Sequence, residues 1–361
     1  MDKWEIKIMI LKHVILHILD KDAGKLIASQ AEIDLTQPGL HDYLEKIIMK
    51  FQTGDFKPGT LTGEDYLAQT IDDNNGLSFA EKTTQLAEKL FDTIAASEAV
   101  PAGDLLSFEF AEGTDDFFGL IKLNFAPRYA HIVDYRDDQL VNNLVLNQAV
   151  LPGANQKADE GIIVNLMTGS YMLVEKQYLI DGHRINYFSE RFLEIKPEES
   201  TKDNIKTIKR AVKTVADKFD VPEHEAMAAT QSAIFESVSD GGQINTADIA
   251  EAVFKGNISA KQAYNEVIAD KELDTAIDVP NVERVEKKYR LQRFKLDSGI
   301  EIAIPMDIYQ DRSKVEFVNN PDGTMSLVIK DIESIVNKFN SWLIATKKRS
   351  SFYTNSSFSL N

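Results

Sequence analysis

From Gly103 to Ile180 the chain repeats short, β-rich runs separated by turn residues, and this constrains the fold more than any other feature. Leu105–Phe110, Phe117–Phe125, Ile162–Met167 and Tyr171–Tyr178 read as strands, with Asp115-Asp116 and Thr168-Gly169-Ser170 as turns. Parallel strands need long crossovers, usually helical, so strands joined by short, helix-free connections predict an antiparallel sheet.

Helical spacing lies before and after this block. Ile6–Leu19, a turn at Asp20–Gly24 and a return over Lys25–Ser29 read as an opening hairpin. Leu40, Leu44, Ile47, Ile48 and Phe51 form one apolar stripe. Ser78 with Glu81 three residues on predicts a capped helix to Ile94. Pro197-Glu198-Glu199-Ser200-Thr201 breaks the pattern and marks a boundary. After it, Thr201 caps a helix to about Phe219, with Ile205, Ile208, Val212, Val215 and Phe219 on its apolar face. A second helix follows Pro222, and shorter ones start at Thr246 and Ser259. Tyr289–Leu296 with Ile300–Ile304, and Val315–Val318 with Met325–Ile329, read as two terminal hairpins. The fold class is therefore α+β: a mainly antiparallel N-terminal half, a helical segment, then C-terminal β-hairpins. Residues 1–195 and 196–345 form two domains, and 346–361, rich in Ser and Asn, a flexible tail.

Composition removes several classes of function. The 361 residues include no cysteine, which excludes disulfides, thiolate metal sites and a Cys nucleophile. No apolar run reaches the roughly 18–20 residues of a membrane span, and the start is not that of a signal peptide. A cytoplasmic protein is expected. Neither a phosphate-binding glycine loop nor a GxSxG elbow is present, and no cofactor is expected. His13 and His17 are four apart, a zinc-like spacing on a helix, but their β-rich context would hold them about 13 Å apart on a strand.

The net charge is −17, which argues against a uniformly basic nucleic-acid coat. Its distribution is uneven. Residues 1–195 carry 17 Lys+Arg against 31 Asp+Glu, whereas residues 196–361 carry 23 against 26. Two basic clusters lie in the second half. The first is Lys202, Lys206, Lys209, Arg210 and Lys213, of which 202, 206, 209 and 213 recur at helical spacing opposite the apolar stripe; the second is Arg284, Lys287, Lys288, Arg290, Arg293 and Lys295, with Lys288 and Arg290 read in a strand. A solvated face with local ion pairs explains either cluster alone; together, in an acidic chain, they favour an anionic partner. Asp181 with Glu194-Ile195-Lys196 resembles the Asp…Glu-x-Lys set of Mg²⁺-dependent nucleases, although Glu-x-Lys recurs at Glu5 and Glu286.

Asn186-Tyr187-Phe188-Ser189-Glu190-Arg191-Phe192-Leu193, then Pro197, Ser200 and the basic helix, resembles the bacterial 37-kDa nucleoid-associated protein family. Leu16-His17-Ile18-Leu19-Asp20 and the Ile302–Ile329 segment with Pro321-Asp322-Gly323-Thr324 are similar to its two ends. The resemblance implies a protein of the cytoplasmic nucleoid that binds DNA or its associated machinery, with no catalytic residues to transfer. The expectation is non-catalytic binding of double-stranded DNA through the two clusters, with Arg191 extending the first. The alternatives are an adaptor for a nucleoid protein such as a topoisomerase, without direct DNA contact, and the Mg²⁺ nuclease. A homodimer is the default assembly because closed pairs are commonest.

Overall fold

The structure is a computed structural model and describes residues 9–336. The expected tail at 346–361 and the first residues of the opening hairpin lie outside that range. In chain order the N-terminal half contains β1 (Met9–Asp20), β2 (Lys25–Ile27), α1 (Leu40–Gln52), β3 (Lys57–Thr60), α2 (Tyr66–Ile71) and α3 (Phe79–Ala95). It continues with β4 (Gly103–Glu112), β5 (Asp115–Asn124), β6 (Arg128–Arg136), β7 (Gln139–Asn147), β8 (Glu160–Asn165), β9 (Ser170–Val174), β10 (Tyr178–Ile180) and β11 (His183–Ile185). Seven of these strands make one antiparallel sheet in the order β2-β1-β4-β5-β8-β9-β3.

Helices cover both faces of this sheet. Leu44, Ile47, Ile48 and Phe51 of α1 pack on Leu106, Phe108, Phe110, Ile121, Leu123 and Ile163. The opposite face, with Leu105, Phe118, Leu120, Ile162 and Val164, packs on α2 and α3. The period-two alternation thus sorts residues between two cores rather than between core and water. Gly119 stands opposite Phe108 across β4 and β5, where an added Cβ would lie 2.3 Å from the ring. The α3 start is as expected, because Ser78 and Glu81 form a reciprocal capping box.

Three local readings change. No strand is expected over 126–161, yet β6 and β7 form a two-stranded ribbon there, closed by Asp137 and Asp138 at positive φ. The second half contains α4 (Thr201–Lys218), α5 (Glu223–Gly241), β12 (Gln243–Asn245), α6 (Thr246–Val253), α7 (Ile258–Asp270), β13 (Ala276–Asp278) and α8 (Val282–Tyr289). Ser200, not Thr201, caps α4, its hydroxyl accepting from Asp203 N–H. Lys288 lies on α8 rather than on a strand, together with Arg284 and Lys287. Asn281 caps that helix and Val282, Val285 and Tyr289 recur along its inner face, a spacing that the apolar run after Tyr289 obscures.

Helices α4 to α8 bury a core of their own around Ile208, Val212, Ile234, Val238, Phe254 and Tyr264. The chain then forms β14 (Leu291–Lys295), β15 (Glu301–Pro305), α9 (Met306–Gln310), β16 (Val315–Asn319) and β17 (Met325–Ile329), the two hairpins joined by packing of Phe294 on Tyr309 and Phe317. No helix among the described residues is long and apolar enough to cross a membrane.

The two histidines on β1 serve different local roles. His13 Nδ1 lies 3.0 Å from the Glu32 carboxylate. His17 is fully buried; its Nδ1 accepts from Ser29 N–H at 3.2 Å and its Nε2 lies 3.0 Å from Thr83 Oγ1. Burial pushes its pKa down to about 4. Between roughly pH 6.5 and 4 the unfolded chain therefore takes up a proton that the folded one refuses, so stability falls as pH falls through that window. The loss should approach about 3 kcal/mol. Urea unfolding of His17→Asn, which keeps an acceptor for Ser29, should lack this part of the pH dependence. Parallel pH profiles for wild type and variant would contradict the assignment.

Candidate nucleic-acid interface

The two basic clusters, more than seventy residues apart in sequence, meet through α4 and α8. The Nζ atoms of Lys209 on α4 and Lys288 on α8 lie 5.4 Å and 5.1 Å from the centre of the same Tyr289 ring. Tyr289 is buried, and its main-chain carbonyl accepts from Gln231 of α5. The ring is thus a fixed platform under two cations.

The electrostatics show that these cations share one surface. Burial lowers the pKa of Lys288, and the charges of Arg284 and Lys202 lower it further, against an opposing pull from Asp55. Lys209 is lowered by burial and then by Lys288.

One N-terminal residue fixes the geometry. Asp55 follows α1, and its carboxylate lies 3.0 Å from Ser200 Oγ, the α4 cap, and 3.3 Å from Arg284 of α8. Glu198 N–H donates to Pro58 O at 2.9 Å, tying the linker to β3. Beside this junction is a cleft of about 260 Å³ lined by Lys50, Asp55, Lys57, Lys157, Lys202 and Arg284, among others. Lys57 is held by the buried Glu175 at 3.0 Å. Lys50, Lys157 and Lys202 have no carboxylate within 4.0 Å among the described residues.

The expected residues divide accordingly. Lys202, Lys206, Lys209, Arg284 and Lys288 belong to this surface by sequence position or by mutual influence, and Lys206 and Lys287 are exposed. Arg210 is also exposed on α4. Lys213 is held by Glu223 of α5 at 2.7 Å. Arg290 ends α8, while Arg293 and Lys295 project from β14, Lys295 opposite Glu301. Arg191 lies 3.8 Å from Asp181. Asp55, Lys50, Lys57 and Lys157 are not marked in the sequence, because they are isolated charges in the acidic half with no periodicity.

The nuclease-like residues do not occupy the two strands expected for them. Asp181 is in the β10–β11 turn with φ 52°, and Glu194 follows a π-helical turn with φ 57°. Glu194 is held by Lys89 at 2.7 Å, so the two carboxylates are engaged by different cations.

The motif Tyr187–Leu193 has a clear structural role. Phe188–Leu193 forms that π-helical turn, with Tyr187, Phe188, Phe192 and Leu193 buried in the core beneath α3. Ring centroids step from Tyr178 to Tyr187 to Phe188 to Phe192 at 5.5, 6.2 and 5.1 Å, all near edge-to-face. The recognisable sequence is core packing adjoining the basic surface. No curated protein matches the chain significantly. A family model described as nucleoid-associated protein YejK matches residues 15–336, so the chain belongs to this nucleoid-associated family.

Proposed function

We propose that the protein binds duplex DNA non-catalytically, at the nucleoid, through the surface formed by α4, α8 and the adjoining cleft. The observation carrying this reading is the convergence of the two clusters: Lys209 of α4 and Lys288 of α8 lie 5.4 Å and 5.1 Å from the centre of one Tyr289 ring, with Lys202 and Arg284 lining the adjoining cleft. The surface contributes Lys202, Lys206, Lys209, Arg284, Lys287 and Lys288, with Lys50 and Lys157 along the cleft wall. Such groups position a phosphate backbone and read no sequence. Lys213 is excluded because Glu223 of α5 holds it at 2.7 Å, and Arg191 because it lies on the Phe188–Leu193 turn, beside Asp181.

Screening reconciles a cationic surface with a net charge of −17. At physiological salt a charge acts over about 8 Å, so DNA docked on α4 and α8 is shielded from most acidic groups elsewhere.

The test is duplex binding titrated with salt. Lys206→Glu/Lys288→Glu should bind at least about tenfold more weakly at low salt, and its log–log salt slope should shrink by roughly 0.9 for each phosphate no longer neutralised. Lys213→Ala should match wild type. Equal affinity of wild type and the double variant would overturn the surface and favour a protein-bridged association. Cleavage of the duplex in Mg²⁺ would overturn the non-catalytic reading.

A further inference from the structure

The β6–β7 ribbon is poorly satisfied as a free structure. Among the described residues, every hydrogen bond and ion pair of residues 128–147 is made within the ribbon or its immediate flanks. None of its side chains enters any of the three cores. A lone two-stranded ribbon is marginal in water.

Its two faces differ. The cross-strand register places Tyr129, Val133, Tyr135, Leu140, Leu144 and Leu146 on one face. Tyr129, Tyr135 and Leu144 are 72 %, 75 % and 67 % exposed. Arg128, Asp134 and Arg136 lie on the other face, interspersed with the smaller apolar set Ala130, Ile132, Val141 and Val145, and Asp137 and Asp138 are at the tip. His131 and Asn142 interrupt the apolar face, which carries no carboxylate. Two tyrosines and four aliphatic side chains at such exposures offer roughly 600 Å², near the ~800 Å² that each partner gives to a standard interface. An exposed apolar strip of that size marks a contact site.

The occupant follows from the strip's symmetry and charge. Along β6, Tyr129 and Tyr135 are equidistant from Ile132; along β7, Leu140 and Leu146 are equidistant from Asn143. Turned end for end, the four corners of the face repeat: a tyrosine at each end of β6 and a leucine at each end of β7. A two-fold stack therefore sets Tyr129 over the Tyr135 of a second copy and Leu140 over its Leu146, which is what an isologous contact needs. Two copies at −17 repel across most of their surfaces; on this strip no acid meets an acid.

We infer that the β6–β7 ribbon is a dimerisation arm, its apolar face stacked antiparallel on the same face of a second copy. In this arrangement each body sits beyond the other arm's tip, at opposite ends of the stack, and the charged faces point to solvent.

Sedimentation of the full chain tests the inference. Wild type should run at twice the 40.5 kDa chain mass, and Leu140→Asp/Leu144→Asp should dimerise at least about a hundredfold more weakly. Because the ribbon feeds no core, the variant should keep the wild-type circular dichroism. A monomeric wild type, or a variant that still dimerises like it, would overturn the arm. The absence of native cysteine permits a second readout with a short bismaleimide. Asn142→Cys, on the apolar face, should cross-link into covalent dimers; Asn143→Cys, on the charged face, should not. Equal cross-linking at both positions would overturn the stacked geometry.

Discussion

Lys122→Met is expected to destabilise the N-terminal half by about 3–5 kcal/mol, the usual consequence of leaving a buried charge uncompensated. Lys122 and Glu160 stand opposite each other across β5 and β8, both essentially inaccessible to solvent; they make no direct ion pair, and the Asn124 amide bridges them, accepting from Lys122 and donating to Glu160. Burial lowers the Lys122 pKa to about 8 and raises that of Glu160, while each charge partly restores the other. Lys122 Nζ also donates to Pro101 O at 2.9 Å and to Asn124 Oδ1. Glu160 accepts from Tyr178 OH at 2.5 Å and from Asn124 at 3.3 Å.

Without the ammonium, Glu160 would have to hold its charge in the sheet interior on two donors, or take up a proton. The penalty should therefore shrink as pH falls and the carboxyl becomes neutral. Lys122→Met/Glu160→Leu should recover much of the loss, because two opposite charges buried together contribute little net stability over apolar residues of similar size. Urea unfolding at two pH values measures both effects. A single variant within about 1 kcal/mol of wild type would show that solvent reaches the pair.

This pair also shows how far the sequence could be read. The strands were legible because alternation and turn residues survive in a sheet covered on both faces. The pairing that set Lys122 against Glu160 was not, since two charges 38 positions apart in strand-like runs carry no sign that they meet. The α4 stripe was visible because Ile205, Ile208, Val212 and Val215 keep helical spacing. Its meeting with α8 depends on the tertiary packing of α4, α5 and α8, which no local pattern encodes. Lys213 illustrates the same limit. By spacing it belongs with Lys206 and Lys209, yet the turn into α5 brings Glu223 against it. The ribbon at 128–147 escaped because it buries nothing, and its tip uses Asp137-Asp138 where a hairpin signal would show Asn-Gly or Asp-Gly.

The family motif provides the sharpest separation between packing and charge. Phe192 is fully buried against Phe188, in the aromatic series that ends at Tyr178, the donor to Glu160. Phe192→Ala removes a ring from a filled core and should cost about 3–5 kcal/mol. It should also loosen Tyr178 and so weaken the Lys122–Glu160 network, making the two substitutions less than additive when combined. Its neighbour Arg191 is partly exposed, and its partner Asp181 is 84 % exposed at 3.8 Å, so Arg191→Ala should change stability by no more than about 0.5 kcal/mol. If the motif acted instead through its charge, the order would reverse: Arg191→Ala would weaken DNA binding in the salt titration while Phe192→Ala left stability intact. The buried rings and the exposed guanidinium make the first outcome the expected one, with the motif holding the sheet and α3 together beside the surface proposed to meet DNA.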